Sequence, residues 1–188
     1  MRKIEYMKIE DYLDSTYLKT AVQEMISEEE NRKNIEDLIN EAIEHNFKLV
    51  MIRPMYINLA KELIKKAKSN VLVGTVVDFP IGDSPTEDKI KQAKEVIELG
   101  VDDIDYVADY NIFKQKRFDK FDLDILKGTR LGVSHNKTVK WIIETGALSR
   151  EEIRSITKRI SQIVTKEFSD HVDKVFIKTS TGYYGGFG

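Results

Sequence analysis

Short apolar runs rich in β-branched residues alternate along the chain with amphipathic, charge-rich segments, and this alternation limits the fold more than any other feature. The runs cover residues 47–52, 71–79, 103–107, 139–144 and 172–179, with a weaker one near 11–18. Several are apolar without a polar alternate, as expected of parallel strands covered on both faces. Their spacing, roughly 25–35 residues, suits βαβ units. Right-handed crossovers leave two architectures open, a doubly wound sheet or a closed barrel, and periodicity does not choose between them.

The intervening segments carry helix signals. Ser27 with Glu30 forms a capping box ahead of Ile35, Leu38, Ile39, Ala42 and Ile43. In Ser84-Pro85-Thr86-Glu87, serine suits the cap, proline the first turn and glutamate the return to the cap amide. Ile90, Ala93, Val96 and Ile97 then supply a buried face, and Gly100 a stop. Ser149 with Glu152 repeats the box before Ile153, Ile156, Ile160 and Ile163, and residues 56–69 form a helix burying Leu59, Leu63 and Ile64. Residues 116–136, charged and holding Gly128 and Gly132, read as irregular with at most a short helix. No linker divides the chain, so residues 1–188 are expected to form one domain with its own core.

Composition removes several functions. Thirty basic residues against thirty-two acidic give a net charge of −2, which argues against a nucleic-acid footprint and broad attraction to anionic membranes. The chain has no cysteine, hence no disulfide, thiolate metal site or cysteine nucleophile. His45, His135 and His171 are scattered in no ligand pattern, so no metal site is expected. Met1-Arg2-Lys3-Ile4-Glu5 opens no long apolar run; the expectation is a cytoplasmic protein without signal peptide or membrane span.

In a parallel α/β protein, chemistry collects at the C-terminal ends of the strands. Asp14, Asp78, Asp105, Asp109, Lys140, Glu144 and Lys178 lie at or near predicted strands. The two lysines stand out, because lysine seldom occupies a buried strand. Burial and a second ammonium both lower a lysine pKa, and a neutral amine is what attack on a carbonyl requires. Lys178 ends its strand, where a site would open, and Lys140 sits deeper. Asp105, if inward, moves protons. The structural alternative for either lysine is an ion pair with Asp105 or Glu144; for Asp14, Asp78 and Asp109 it is loop anchoring or helix capping. The glycine-rich stretch from Thr179 to Gly188 suits either a phosphate-facing loop or an ordinary one, with Tyr183, Tyr184 and Phe187 as packing residues.

Phe176-Ile177-Lys178-Thr179-Ser180-Thr181-Gly182 closely resembles the motif that carries the Schiff-base lysine of deoxyribose-phosphate aldolases. Val139-Lys140-Trp141-Ile142-Ile143-Glu144-Thr145-Gly146 is similar to that family's fifth strand, and Gly100-Val101-Asp102-Asp103-Ile104-Asp105 to the segment with its catalytic aspartate. Gly74-Thr75-Val76-Val77-Asp78-Phe79-Pro80-Ile81-Gly82 resembles the third strand and loop, Leu59-Ala60-Lys61-Glu62-Leu63 the second helix, and Leu13-Asp14-Ser15-Thr16 the first strand. The resemblance runs in order over nearly the whole chain.

It implies an α/β fold of (β/α)8 TIM-barrel type with about six β/α units present, and reversible cleavage of 2-deoxyribose 5-phosphate to glyceraldehyde 3-phosphate and acetaldehyde. Lys178 would form the imine, Asp105 serve the proton relay and Lys140 supply positive charge. Asp14 and Thr16 would support that network, and Thr181 and Gly182 bind substrate. The implied partners are a small phosphorylated aldehyde and a further copy of the chain, with no cofactor. Four positions depart from the commoner pattern: Ser15 for histidine, Met51 for cysteine, Asp78 for glycine and Asp109 for an uncharged residue. Nothing matches the family's later Lys-Pro-Ala-Gly-Gly type motif, so the final strands are expected to be missing. Two alternatives follow: a Schiff-base aldolase for another sugar, or a reduced, non-catalytic barrel acting as a binding or assembly module.

Overall fold

The computed structural model describes residues 8–185. The expectations for residues 1–5 and for Phe187 concern positions outside these. Two compact units divide the chain, Met1–Thr75 and Val76–Gly188, the division falling inside the third strand.

The first unit runs β1 (Asp14–Tyr17), α1 (Ala21–Glu24), α2 (Glu28–His45), β2 (Leu49–Ile52), α3 (Ile57–Ala67) and the start of β3 (Leu72–Val77). The capping box at Ser27 and Glu30 forms as expected, and α2 buries Ile35, Ile39 and Ala42. β2 is buried at all four positions, the condition its unbroken apolar run requires. β1 and β2 pair in parallel with Asp14 opposite Leu49, and β2 pairs β3 with Leu49 opposite Leu72. Asn31, buried on α2, accepts from the Tyr17 hydroxyl at 3.0 Å and donates to the Tyr56 hydroxyl at 3.1 Å, tying strand to helix.

The second unit continues with α4 (Thr86–Glu98), β4 (Asp103–Val107), α5 (Tyr110–Lys114), α6 (Phe118–Ser134), β5 (Thr138–Ile142), α7 (Arg150–Glu167) and β6 (Val175–Lys178). β4 pairs β5 and β5 pairs β6, again in parallel. Within each unit strand order follows chain order, the progression of a barrel; a doubly wound sheet reverses at a switch point. The Ser149–Glu152 box caps α7, which buries Ile156, Ile160 and Val164. Gly100, at φ 83°, ends the helix turn after α4 as expected.

Two local expectations are corrected. Residues 116–136 are not irregular: α6 is a seventeen-residue helix. Its glycines are close-approach positions rather than breakers. A Cβ on Gly128 would lie 2.8 Å from Trp141 Cζ2, and one on Gly132 2.2 Å from Val139 Cγ2, so glycine lets this helix settle onto β5. The second correction concerns Ser84, which makes no side-chain cap to α4. Its hydroxyl donates to Asp78 Oδ1 at 2.5 Å, and Glu87 pairs with Lys127 instead of returning to the cap.

Candidate active site

Strand register builds the site. Asp105 lies opposite Lys140, and Lys140 opposite Phe176; one rung toward the strand ends, Val107 lies opposite Ile142 and Ile142 opposite Lys178. Paired residues of parallel strands point to the same face and alternate along it. Asp103, Asp105, Lys140 and Lys178 therefore share one face, with Lys178 a rung above Lys140. Tyr106 and Trp141 share the other, where their rings stack at 4.8 Å beneath α6.

The charges join in a line. Lys140 Nζ is 2.9 Å from Asp103 Oδ2 and 3.2 Å from Asp105 Oδ1; Lys178 Nζ donates to Asp105 Oδ2 at 2.8 Å. Asp105 is fully buried, and the Lys140 side chain is 10% exposed against 29% for Lys178. The ordering expected from the sequence holds: Lys140 lies deeper than Lys178. Each lysine has a carboxylate partner, in keeping with the high cost of an unpaired buried charge. The carboxylates in these contacts are Asp103 and Asp105.

Glu144 has a different task. It is buried at φ 50°, just beyond β5. Its Oε2 accepts from the Thr181 amide at 3.0 Å and from the Thr181 hydroxyl, and its Oε1 accepts from Ser180 Oγ at 3.2 Å. The Gly182 amide donates to Ser180 Oγ at 2.9 Å. The loop after Lys178 is thereby fastened to the end of β5.

A small cavity of about 160 Å³ lies beside this loop, lined by Pro80, Ile81, Tyr110, Glu144, Thr181, Tyr183, Tyr184 and Gly185. The Tyr110 hydroxyl is pushed above the usual phenol range, first by burial, then by Tyr184, Glu144, Asp109 and Asp83. This wall of the site is electronegative.

The remaining candidates separate into tasks. Asp109 caps α5, accepting from the Ile112 amide at 2.9 Å. Asp78 adopts φ 56°, a conformation that favours glycine, and stays there because its backbone and side chain are both engaged: Gln92 accepts from its amide and Ser84 donates to its carboxylate. Asp14 and Thr16 lie on β1 in the first unit, where the Thr16 hydroxyl donates to the Asp14 carbonyl at 3.2 Å. Met51 is buried on β2.

Sequence reasoning missed Asp103, the fastening role of Glu144, and a buried cluster around Lys89. Lys89 Nζ donates to the Gly82 carbonyl at 2.7 Å, the Val107 carbonyl at 3.3 Å and Asp124 Oδ2 at 3.0 Å, with Asp78 at 3.6 Å. The signal available for Lys89 was its place three residues before Gln92 and four before Ala93, on the inner face of α4. Among the described residues no group of three carboxylates or histidines is arranged to hold a metal ion, and no helix is long and apolar enough to cross a membrane.

This geometry has relatives. No protein-family model matches the chain. A deoxyribose-phosphate aldolase of Mycoplasmopsis synoviae is 38% identical over 177 residues, covering 94% of this chain and 71% of that protein. The chain belongs to the deoxyribose-phosphate aldolase family. A Staphylococcus aureus deoxyribose-phosphate aldolase 1 is 37% identical over 180 residues, covering 96% of this chain and 72% of its own. Among solved structures, an aldolase designated QR15 superposes with a TM-score of 0.75 at 27% identity, over 96% of this chain and 71% of that one. The tetrameric deoxyribose phosphate aldolase of Aeropyrum pernix, at 23% identity and a TM-score of 0.70, shares the fold over 94% of this chain and 65% of its own. The architecture of this aldolase-family chain is therefore α/β of TIM-barrel type, with six β/α strands described.

Proposed function

We propose that the chain is a class I aldolase acting on 2-deoxyribose 5-phosphate through an imine on Lys178. The observation that carries the reading is the contact of Lys178 Nζ with the buried Asp105 carboxylate at 2.8 Å, at the open end of β6.

In the cleavage direction the neutral Lys178 amine adds to the aldehyde carbon of the open-chain sugar. The proton it sheds passes through Asp105, and loss of water leaves a protonated imine. The C3 hydroxyl then gives up its proton to the Asp105 carboxylate, which has handed its first proton to the departing water, and the C2–C3 bond breaks. Its electron pair flows into the imine, which becomes an enamine, while C3 leaves as the aldehyde of glyceraldehyde 3-phosphate. Protonation of the enamine and hydrolysis release acetaldehyde and restore the amine. The protonated imine is itself the electron sink, so the cycle needs no cofactor.

Lys140, 3.2 Å from Asp105 on the side away from Lys178, holds that carboxylate in place and contributes positive charge. Thr181 and Gly182 receive the phosphate in this reading, and for that their amides exchange the Glu144 and Ser180 oxygens for phosphate oxygens. The enzyme works in the cytoplasm on a product of nucleoside catabolism, as a single-domain barrel that associates with further copies.

A second substrate reading has its own support. The carboxylates around Tyr110 disfavour an anionic group in the cavity beside the loop, which suits an acceptor aldehyde without phosphate. Release of glyceraldehyde 3-phosphate, followed with a coupled dehydrogenase, tests the first reading; condensation of acetaldehyde with uncharged hydroxyaldehydes tests the second. Turnover of 2-deoxyribose 5-phosphate that vanishes in Lys178→Met is the expected result. Condensation only with uncharged acceptors would replace the substrate while keeping the chemistry. Neither activity in the folded protein would overturn both readings.

A further inference from the structure

We propose that Asp103 is a positioning residue that sets the pH at which the Lys178 amine becomes nucleophilic, acting through Lys140. The inference rests on the Schiff-base reading above and concerns a residue outside that mechanism.

The four charged groups form the sequence Asp103, Lys140, Asp105, Lys178, with successive contacts of 2.9, 3.2 and 2.8 Å. Asp103 is one rung below Asp105 on the same face of β4 and is 1% exposed, so it meets Lys140 and not the opening. Its effect on the site is to divide the charge of Lys140. With Asp103 present, Asp105 shares Lys140 with a second carboxylate while its other oxygen contacts Lys178. With Asp103 neutral, Lys140 loses one of its carboxylate contacts and keeps the one to Asp105, and one negative charge leaves the row. Both changes loosen the proton on Lys178.

Other titratable groups nearby have their own places in the fold. β5 brings Lys140 to this face and β6 brings Lys178, while β3 carries no charged residue. Asp102 precedes β4, and its carbonyl accepts from the Thr138 amide. Glu144 is engaged by Ser180 and Thr181, and Lys89 pairs with Asp78 and Asp124 at the Val107 end of β4.

The test is the pH dependence of Lys178 acetylation by acetic anhydride, read by peptide mass spectrometry against an unstructured reference amine. Asp103→Asn is expected to move the midpoint to lower pH by on the order of one unit, or about tenfold faster labelling at a fixed pH below it. Asp103→Glu restores the charge and is expected to return the midpoint toward that of the parent. Lys140→Met removes the opposing charge and is expected to move it to higher pH. A midpoint in folded Asp103→Asn that is unchanged or raised overturns the proposal. Should Asp103→Asn fail to fold, Lys140→Met decides, since an unmoved or lowered midpoint there is equally fatal. The labelling needs no aldehyde, so a failure of the aldolase reading would show separately, as absent turnover with the charge coupling intact.

Discussion

Replacing Gly128 by alanine sets two effects of known size against each other. Alanine in a helix interior is favoured over glycine by about 1 kcal/mol, because less backbone entropy is lost on folding. Against this, the new methyl would sit 2.8 Å from Trp141 Cζ2 and 2.9 Å from Cη2, well inside the ~3.5–4.0 Å of an ordinary carbon contact. The indole has little room to yield. It is fully buried, stacked on Tyr106, and its N–H donates to Thr129 Oγ1 at 3.0 Å. Overpacking of a well-filled core costs about 1–3 kcal/mol, so Gly128→Ala is expected to lose about 1 kcal/mol net. Urea unfolding followed by far-UV circular dichroism measures it. In a Trp141→Phe background the clashing ring atoms are gone, and the same substitution should gain up to about 1 kcal/mol. A stabilised Gly128→Ala with Trp141 in place, or the same loss in both backgrounds, would refute the close-approach account of α6.

Two further outcomes follow from buried and capping charges. Lys89→Met leaves Asp124 buried without its cation and is expected to cost about 3–5 kcal/mol in the same urea assay, with partial recovery on adding Asp124→Asn. Glu30 and Glu152 are held below the ordinary glutamate range, chiefly by the backbone amides of Ser27 and Ser149. A lowered carboxylate stabilises fully above its unfolded value, near 4.5, and stops doing so as pH falls through its lower folded value. The Glu30→Gln, Glu152→Gln double variant should therefore show a shallower loss of stability over that acid range. An identical acid limb would show that the boxes contribute nothing there.

The elements most legible from sequence were those whose signal is local. A buried parallel strand such as β2 announces itself as an unbroken apolar run, and β4, although it carries Asp103 and Asp105, was delimited at its true ends, residues 103 and 107. Capping boxes at Ser27 and Ser149 need only residues three apart, and both form. Ser84 failed as a cap because a partner six residues back, Asp78, competes for it, and such competition is set by the turn at φ 56°. The helix α6 was hidden because Gly128 and Gly132 are breakers by propensity, while their purpose lies in contacts to β5. At the site, the sequence singled out Asp105, Lys140 and Lys178 but left the direction of Asp105 open; the strand register puts all three on one face. Asp103 escaped notice because a carboxylate at a strand start usually anchors a loop; only the register shows it beneath Lys140. Glu144 was one of two carboxylates offered as an ion-pair alternative for the lysines; beyond β5, at a left-handed backbone position, its carboxylate meets the loop at Thr181.

The central claim is that the Lys178 nitrogen attacks an aldehyde with Asp105 at hand. Borohydride reduction of the folded protein in the presence of acetaldehyde, with peptide mass spectrometry, addresses it directly. The account predicts an ethyl group fixed on Lys178, formed far more slowly in Asp105→Asn. An unmodified Lys178 peptide, or adducts spread evenly over exposed lysines, would contradict it.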